Sequence, residues 1–137
     1  MKSREGLIRL KRFQVDEKRR QVAQIQTMIT EFERVARELN DQVVAEQDRS
    51  GIHDTAHFAY PTFAKAAMQR RDNLLGSIAG LTEQLHTAEA ECAEAVSELE
   101  KYEAIAERDH DRHGDRADAT VRDLGRSGPT TRAALGR

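Results

Sequence analysis

Tryptophan is absent from this 137-residue sequence, aromatic residues make up 4% of it, and there are two prolines and one cysteine. Each scarcity closes off a class of structure. Bulky side chains are too few for a thick globular core, and a 34% share of charged residues suits a long charged helix better. A lone cysteine, Cys92, cannot form an internal disulfide and reads as a small core hydrophobe. No apolar run approaches the ~20 residues of a membrane span. Leu7 and Ile8 are followed at once by Arg9, so no signal-type segment opens the sequence and a cytoplasmic location is expected. The formal net charge of −2 favours neither nucleic acid nor an anionic membrane surface.

What is present is a pair of apolar ladders. Val22, Ile25, Ile29, Phe32, Ala36, Leu39 and Val43 recur at alternating steps of three and four, and so do Leu74, Ile78, Leu81, Leu85, Ala88, Cys92, Ala95, Leu99, Tyr102 and Ala106. That period keeps one seam of a helix facing a partner helix. If the chain turns back near residue 55, Val22 falls opposite Ala88, Ile25 opposite Leu85, Ile29 opposite Leu81 and Phe32 opposite Ile78. The expected fold is therefore all-α, a long two-helix antiparallel coiled-coil hairpin.

Charge selects the same register. Residues 1–20 carry Lys2, Arg4, Arg9, Lys11, Arg12, Lys18, Arg19 and Arg20 against Glu5, Asp16 and Glu17, whereas residues 83–107 carry eight glutamates against Lys101 alone. Reverse pairing lays the basic arm on the acidic one. Exposed pairs contribute only about 0.2–1 kcal/mol each and are screened by salt, so they choose orientation while the seam supplies the energy. Lys11 and Lys18 lie on the seam itself, which implies a looser terminal end with lysine stems that snorkel outward.

The organisation is simple. Helix one is predicted over 3–49, roughly 70 Å at ~1.5 Å per residue, the tip over 50–60 and helix two over 61–109. Ser50 and Gly51 suit a helix end, and Pro61 lacks the N–H that a helix interior needs but fits a first turn. Together these make a hairpin unit over 1–110. Residues 111–137 mix Gly, Asp, Arg and Thr with almost no apolar period and read as a flexible tail, with room for a short helical continuation to about Leu124.

Chemistry is hard to find in such a chain. His110 and His113 share a helix face, and His53 and His57 stand four apart in the tip, but neither pair has further ligands around it, so no metal and no cofactor are expected. Gly76 and Gly80 follow no strand and make no phosphate loop; they either bend helix two or thin its outer face for a docking helix. A two-helix rod offers no closed pocket in which to tune a catalytic group, so no enzyme activity is expected. The more useful signal is apolar residues off the seam. Met68, Leu75 and Ala79 stand beside the helix-two ladder, Met28 and Val35 beside the helix-one ladder, and Ile52, Phe58, Tyr60 and Phe63 crowd the tip. They either broaden the seam or receive a partner in the distal half.

Two blocks carry a family resemblance. The opening from Met1 to Val22 and the tip block from His57 to Leu74, with Tyr60-Pro61 and Gln69-Arg70-Arg71-Asp72-Asn73, resemble the FliJ family of flagellar export proteins in its alphaproteobacterial form, over about residues 1–110. The resemblance implies an antiparallel coiled coil similar in shape to the stalk of rotary ATPases. It implies a cytoplasmic place, peripheral to the inner membrane at the flagellar base. Its implied partners are the hexameric flagellar export ATPase, the membrane-embedded export gate and export chaperones, with no direct membrane insertion. The end bearing the termini would enter the ring, making Arg4, Arg9, Lys11, Arg12, Arg19 and Arg20 candidate ring contacts. Candidate gate contacts, chosen by clustering near the tip, are Phe63, Met68, Arg71 and Leu75.

Other classes compete. A free-standing adaptor or prefoldin-like hairpin would clasp clients through Phe58, Tyr60 and Phe63, and a nucleic-acid-binding coiled coil would use residues 1–20 with steep salt dependence, which the acidic second helix opposes.

Overall fold

The computed structural model describes the backbone of residues 2–135 and the side chains of residues 3–114. Its regular structure is helical: α1 spans Lys2–Ser50 and α2 spans Thr62–Leu135. Along α1, charged neighbours one turn apart reinforce the helix. Arg20 pairs with Glu17 at 3.0 Å, Arg34 with Glu38 at 2.6 Å and with Glu31, and Arg49 with Glu46. Gly51 stops the helix. Its φ of 73° lies in the left-handed region, and its N–H donates to the Gln47 carbonyl at 2.8 Å, the arrangement that closes a helix C-terminus. The Pro61 carbonyl accepts the Lys65 N–H at 3.1 Å and so opens α2.

The boundaries expected at Ser3, Arg49 and Pro61 lie within one residue of those observed. The expected end at Asp109 is corrected, because α2 continues as helical backbone to Leu135 through the stretch read as a flexible tail. Intrahelical hydrogen bonds are local and need no apolar period, which reports only whether a second helix lies alongside. Residues 136 and 137 of that stretch lie outside the described residues.

The chain divides into two compact units, each containing parts of both helices. The unit Gln14–Ala95 is a helical hairpin whose core gathers Leu39, Val43 and Ala67, with Val35, Met68 and Leu74 packed against it. Val15, Ala36, Ala64, Leu81 and Ala88 are also buried. Every residue of the two ladders in this unit is buried or half-buried, including Val22, Ile25, Ile29 and Phe32 on α1 and Ile78, Leu85 and Cys92 on α2. Ala36, Ala64, Ala67 and Ala88 are buried, so much of the core is built from small side chains. Cross-helix partners fall in number on α2 as they rise on α1: Lys18 meets Glu91 at 2.9 Å, and Asn40 meets Arg71 at 2.7 Å.

The second unit joins Met1–Phe13 to Val96–Arg137. Its described residues include no buried apolar side chain. Leu7, Ile8, Leu99, Tyr102 and Ala106 are half-buried, and charge does much of the joining. Lys11 reaches Glu98 at 3.0 Å and lies 5.4 Å from the Tyr102 ring centroid, Arg12 reaches Glu103 at 3.7 Å, and Arg4 pairs with Asp109. Both seam lysines snorkel to a carboxylate beside the ladder, as their long stems allow.

Candidate functional site

Within Gln14–Ala95, Phe58 in the connector and Phe63 just after it are exposed, as are Met28, Val44 and Leu75 along the helices. The segment between the helices is held by its own hydrogen bonds. Asp54 accepts the Ala56 N–H through Oδ1 at 2.9 Å and the His57 N–H through its carbonyl at 3.1 Å; His57 accepts the Tyr60 N–H at 3.1 Å and, through Nδ1, the Ala59 N–H at 3.0 Å. Successive turns of this kind place neighbouring aromatics on opposite sides. Tyr60 is buried, its hydroxyl accepting from Gln47 and donating to the Met68 sulfur. Phe58 projects outward, 96% exposed, with the His57 ring stacked on it at 4.8 Å.

The four candidate gate contacts separate in the structure. Arg71 and Leu75 share an open groove of about 650 Å³ with Glu33, Arg34, Ala36, Arg37, Glu38, Asn40 and Asp41. Leu75 is 51% exposed there. Arg71 is a half-buried seam residue whose guanidinium bonds Asn40 and, at 3.1 and 3.2 Å, Asp72. Phe63 is exposed but does not line that groove. Met68 is half-buried against Leu39, Val43 and Ala67, so it widens the seam, as Val35 does on α1. Met28 remains exposed.

Fixed charges frame the groove. The hydrogen bond from Arg34, followed by its charge, holds the Glu31 carboxyl below the usual glutamate range. The same bond and the charges of Glu31 and Glu38 push the Arg34 guanidinium up. Arg34 is thus committed to its own helix. Near the tip Glu46 is lowered by its hydrogen bond to Arg49.

The candidate ring contacts divide by what they already hold. Arg4, Lys11 and Arg12 are paired with α2 carboxylates in the Met1–Phe13 and Val96–Arg137 unit. In the other unit Arg20 is paired with Glu17 on its own helix. Arg9 and Arg19 are exposed and form no ion pair among the described residues. In the same unit as Arg9, Leu10 and Phe13 stand exposed on the outer face of α1. The heptad pattern does not flag these two, because counting for seam periodicity passes over apolar residues off the seam.

His110 and His113 border a cleft of about 180 Å³ with Arg4, Glu5, Ile8, Ala106 and Asp109. No group of three or more His, Cys, Asp or Glu among the described residues could hold a metal ion. Cys92 is half-buried on the seam. No helix among the described residues is long and apolar enough to cross a membrane. Neither a family model, nor a curated protein, nor a solved structure matches this chain.

Proposed function

We propose that this chain is a non-enzymatic component of the flagellar type III export apparatus, acting as a stalk of the export ATPase and as a link to the export gate and export chaperones. In this reading the two helices form an antiparallel coiled coil. The observation that carries it is the seam: both ladders lie inward, and partner numbers fall along α2 as they rise along α1. That is the architecture the FliJ resemblance of residues 1–110 requires. A stalk needs no chemistry of its own. It biases a ring among conformations through differential contacts, which calls for an asymmetric charged surface. Exposed Arg9 and the weakly held Arg12 in one unit, and exposed Arg19 in the other, supply such charge, and Leu75 and Phe63 are offered to the gate.

The test is the ATPase rate of the purified cognate export ATPase with and without this chain, over a range of salt. Stimulation that disappears when Arg9, Arg12 and Arg19 are all changed to Glu, in a variant that stays helical, supports the stalk reading. Absence of any effect at low salt with a competent ATPase sinks it. Phe58, fully outward, and Phe63, also exposed, favour a second reading as a free-standing adaptor or prefoldin-like hairpin. That reading predicts oligomers and suppression of client aggregation that depends on Phe58 and needs no ATPase.

A further inference from the structure

The connector contains a hydrogen bond that only one protonation state of a side chain can make. The Ala59 N–H donates to His57 Nδ1 at 3.0 Å. A backbone N–H can only donate, so Nδ1 must offer a lone pair, and a neutral imidazole that does so carries its proton on Nε2. Protonation of Nδ1 turns the acceptor into a second donor facing the Ala59 N–H, and the bond is lost. Imidazole is the side chain that ordinarily changes charge between about pH 5 and pH 8.

His57 holds more of the connector than this one bond. Its N–H donates to the Asp54 carbonyl and its carbonyl accepts the Tyr60 N–H, each at 3.1 Å, so the bond to Ala59 lies within the turn that leads to buried Tyr60. The Phe58 ring is stacked on the imidazole, with centroids 4.8 Å apart and planes 21° apart. An aromatic face attracts a charged imidazole, so the stack survives protonation and the two rings move together. His57 and Ala59 are exposed, so water receives the freed N–H and opening leaves no buried donor unpaired.

The charged groups at this end are engaged elsewhere. On α1, Glu46 pairs with Arg49, and Asp48 holds His53 Nε2 at 3.2 Å. In the connector, Asp54 Oδ1 accepts the Ala56 N–H at 2.9 Å, and Lys65 stands in the first turn of α2. Among the described residues no charged side chain of either helix bonds the His57 ring. Acid acts oppositely on the two histidines of the connector, since a charge on His53 strengthens its contact with Asp48 while a charge on His57 breaks its bond to Ala59.

We propose that His57 makes the connector a pH-sensitive joint: neutral, its Nδ1 closes the turn onto Ala59, and protonated, it releases the turn and carries Phe58 with it while α1 and α2 stay helical. The closed form takes no proton at Nδ1 and the open form does, so closure is favoured at neutral pH and lost as pH falls. Contacts made through Phe58 then depend on pH. None of this depends on the function proposed above.

The experiment follows the full chain by NMR at about pH 7.5 and about pH 5.5, on either side of the imidazole range. At the higher pH the His57 ring nitrogens should show the Nε2–H tautomer. Water exchange of the Ala59 amide, scaled to that of an unstructured peptide at the same pH, should speed about fivefold on acidification, the loss of one hydrogen bond of ordinary net strength. His57→Asn puts an amide oxygen in place of Nδ1 and does not titrate, so its Ala59 amide should keep its protection within about twofold at both pH values. His57→Ala should exchange at the open rate at both, and His53→Asn should respond to acid as the parent does. An Nδ1–H tautomer at neutral pH, or parent exchange that acid leaves unchanged, overturns the proposal. So does an acid response as large as the parent's in His57→Asn or His57→Ala, its abolition by His53→Asn, or failure of His57→Asn to protect Ala59 at neutral pH. Loss of the helical circular dichroism signal between the two pH values overturns it as well, because the response would then belong to the whole hairpin.

Discussion

Gln47, in the last turn of α1, donates a hydrogen bond to the Tyr60 hydroxyl at 2.9 Å. The same hydroxyl donates to the Met68 sulfur at 3.3 Å, so one buried phenol ties the end of α1, the connector and the start of α2 together. The connector is otherwise exposed from His53 to Ala59, and Tyr60 is its inward anchor.

Tyr60→Phe keeps the ring and removes both bonds. Stability should fall by about 0.5–1.5 kcal/mol, read as a lower urea midpoint with unchanged slope. An unchanged midpoint would mean that water replaces both partners without loss.

Met68 and Leu75 look alike in sequence, each standing beside the ladder, yet the structure separates them. Met68→Asp sets a carboxylate against Leu39, Val43 and Ala67 and should cost about 2 kcal/mol or more. Leu75→Asp, in the open groove, should stay within about 0.5 kcal/mol and, on the function proposed above, weaken binding to the export gate. Equal destabilisation of the two in thermal melts would contradict the packing described.

Glycines offer opposite outcomes. Gly51→Ala forces a side chain into the left-handed region and should destabilise by about 1 kcal/mol. Gly76→Ala places its Cβ in open space within a helix and should stabilise by up to about 1 kcal/mol. If Gly76→Ala keeps that gain but loses a partner, the thinned surface is a docking face; if binding is unaffected, the glycine serves only local bending.

Lys18 occupies a seam position and pairs with Glu91 at its edge. Lys18→Leu exchanges an exposed ion pair worth at most about 1 kcal/mol for burial of an apolar side chain. Melting temperature should rise, and its dependence on salt should shrink. A drop in stability would show that the ion pair outweighs apolar burial there.

Acid should act through Glu31. Arg34 holds its folded-state carboxyl below the ordinary glutamate value, so the contribution is complete above the unfolded value and is lost as pH falls through the depressed folded one. Both side chains are exposed, so the effect is small. In urea titrations between pH 6 and pH 3, Glu31→Gln should lose less stability on acidification than the parent, and an identical loss would rule out a role for this pair.

Much of this structure is legible from residue spacing. The break at Ser50-Gly51, the opening at Pro61 and the inward face of both ladders follow from chain-local rules. Val15 extends the α1 ladder by one heptad before Val22 and is nearly inaccessible, although Asp16, Glu17 and Lys18 crowd its neighbourhood and hide the period. α2 runs past Asp109 and past the continuation to about Leu124 that the sequence leaves room for, because that stretch has almost no apolar period to count. Leu10 and Phe13 are large apolar residues away from the seam in a basic stretch, so seam spacing does not mark them.

Direction about a helix axis repeats with the residue count, so the sequence by itself determined that two helices form and which residues turn inward. Depth is another matter. Met68 and Val35 pack against a core that includes small Ala67, while Leu75 stays in solvent. The turns from Asp54 to Tyr60 send Phe58 outward and Tyr60 inward. Those outcomes rest on distances between segments far apart along the chain, and only the tertiary structure decided them.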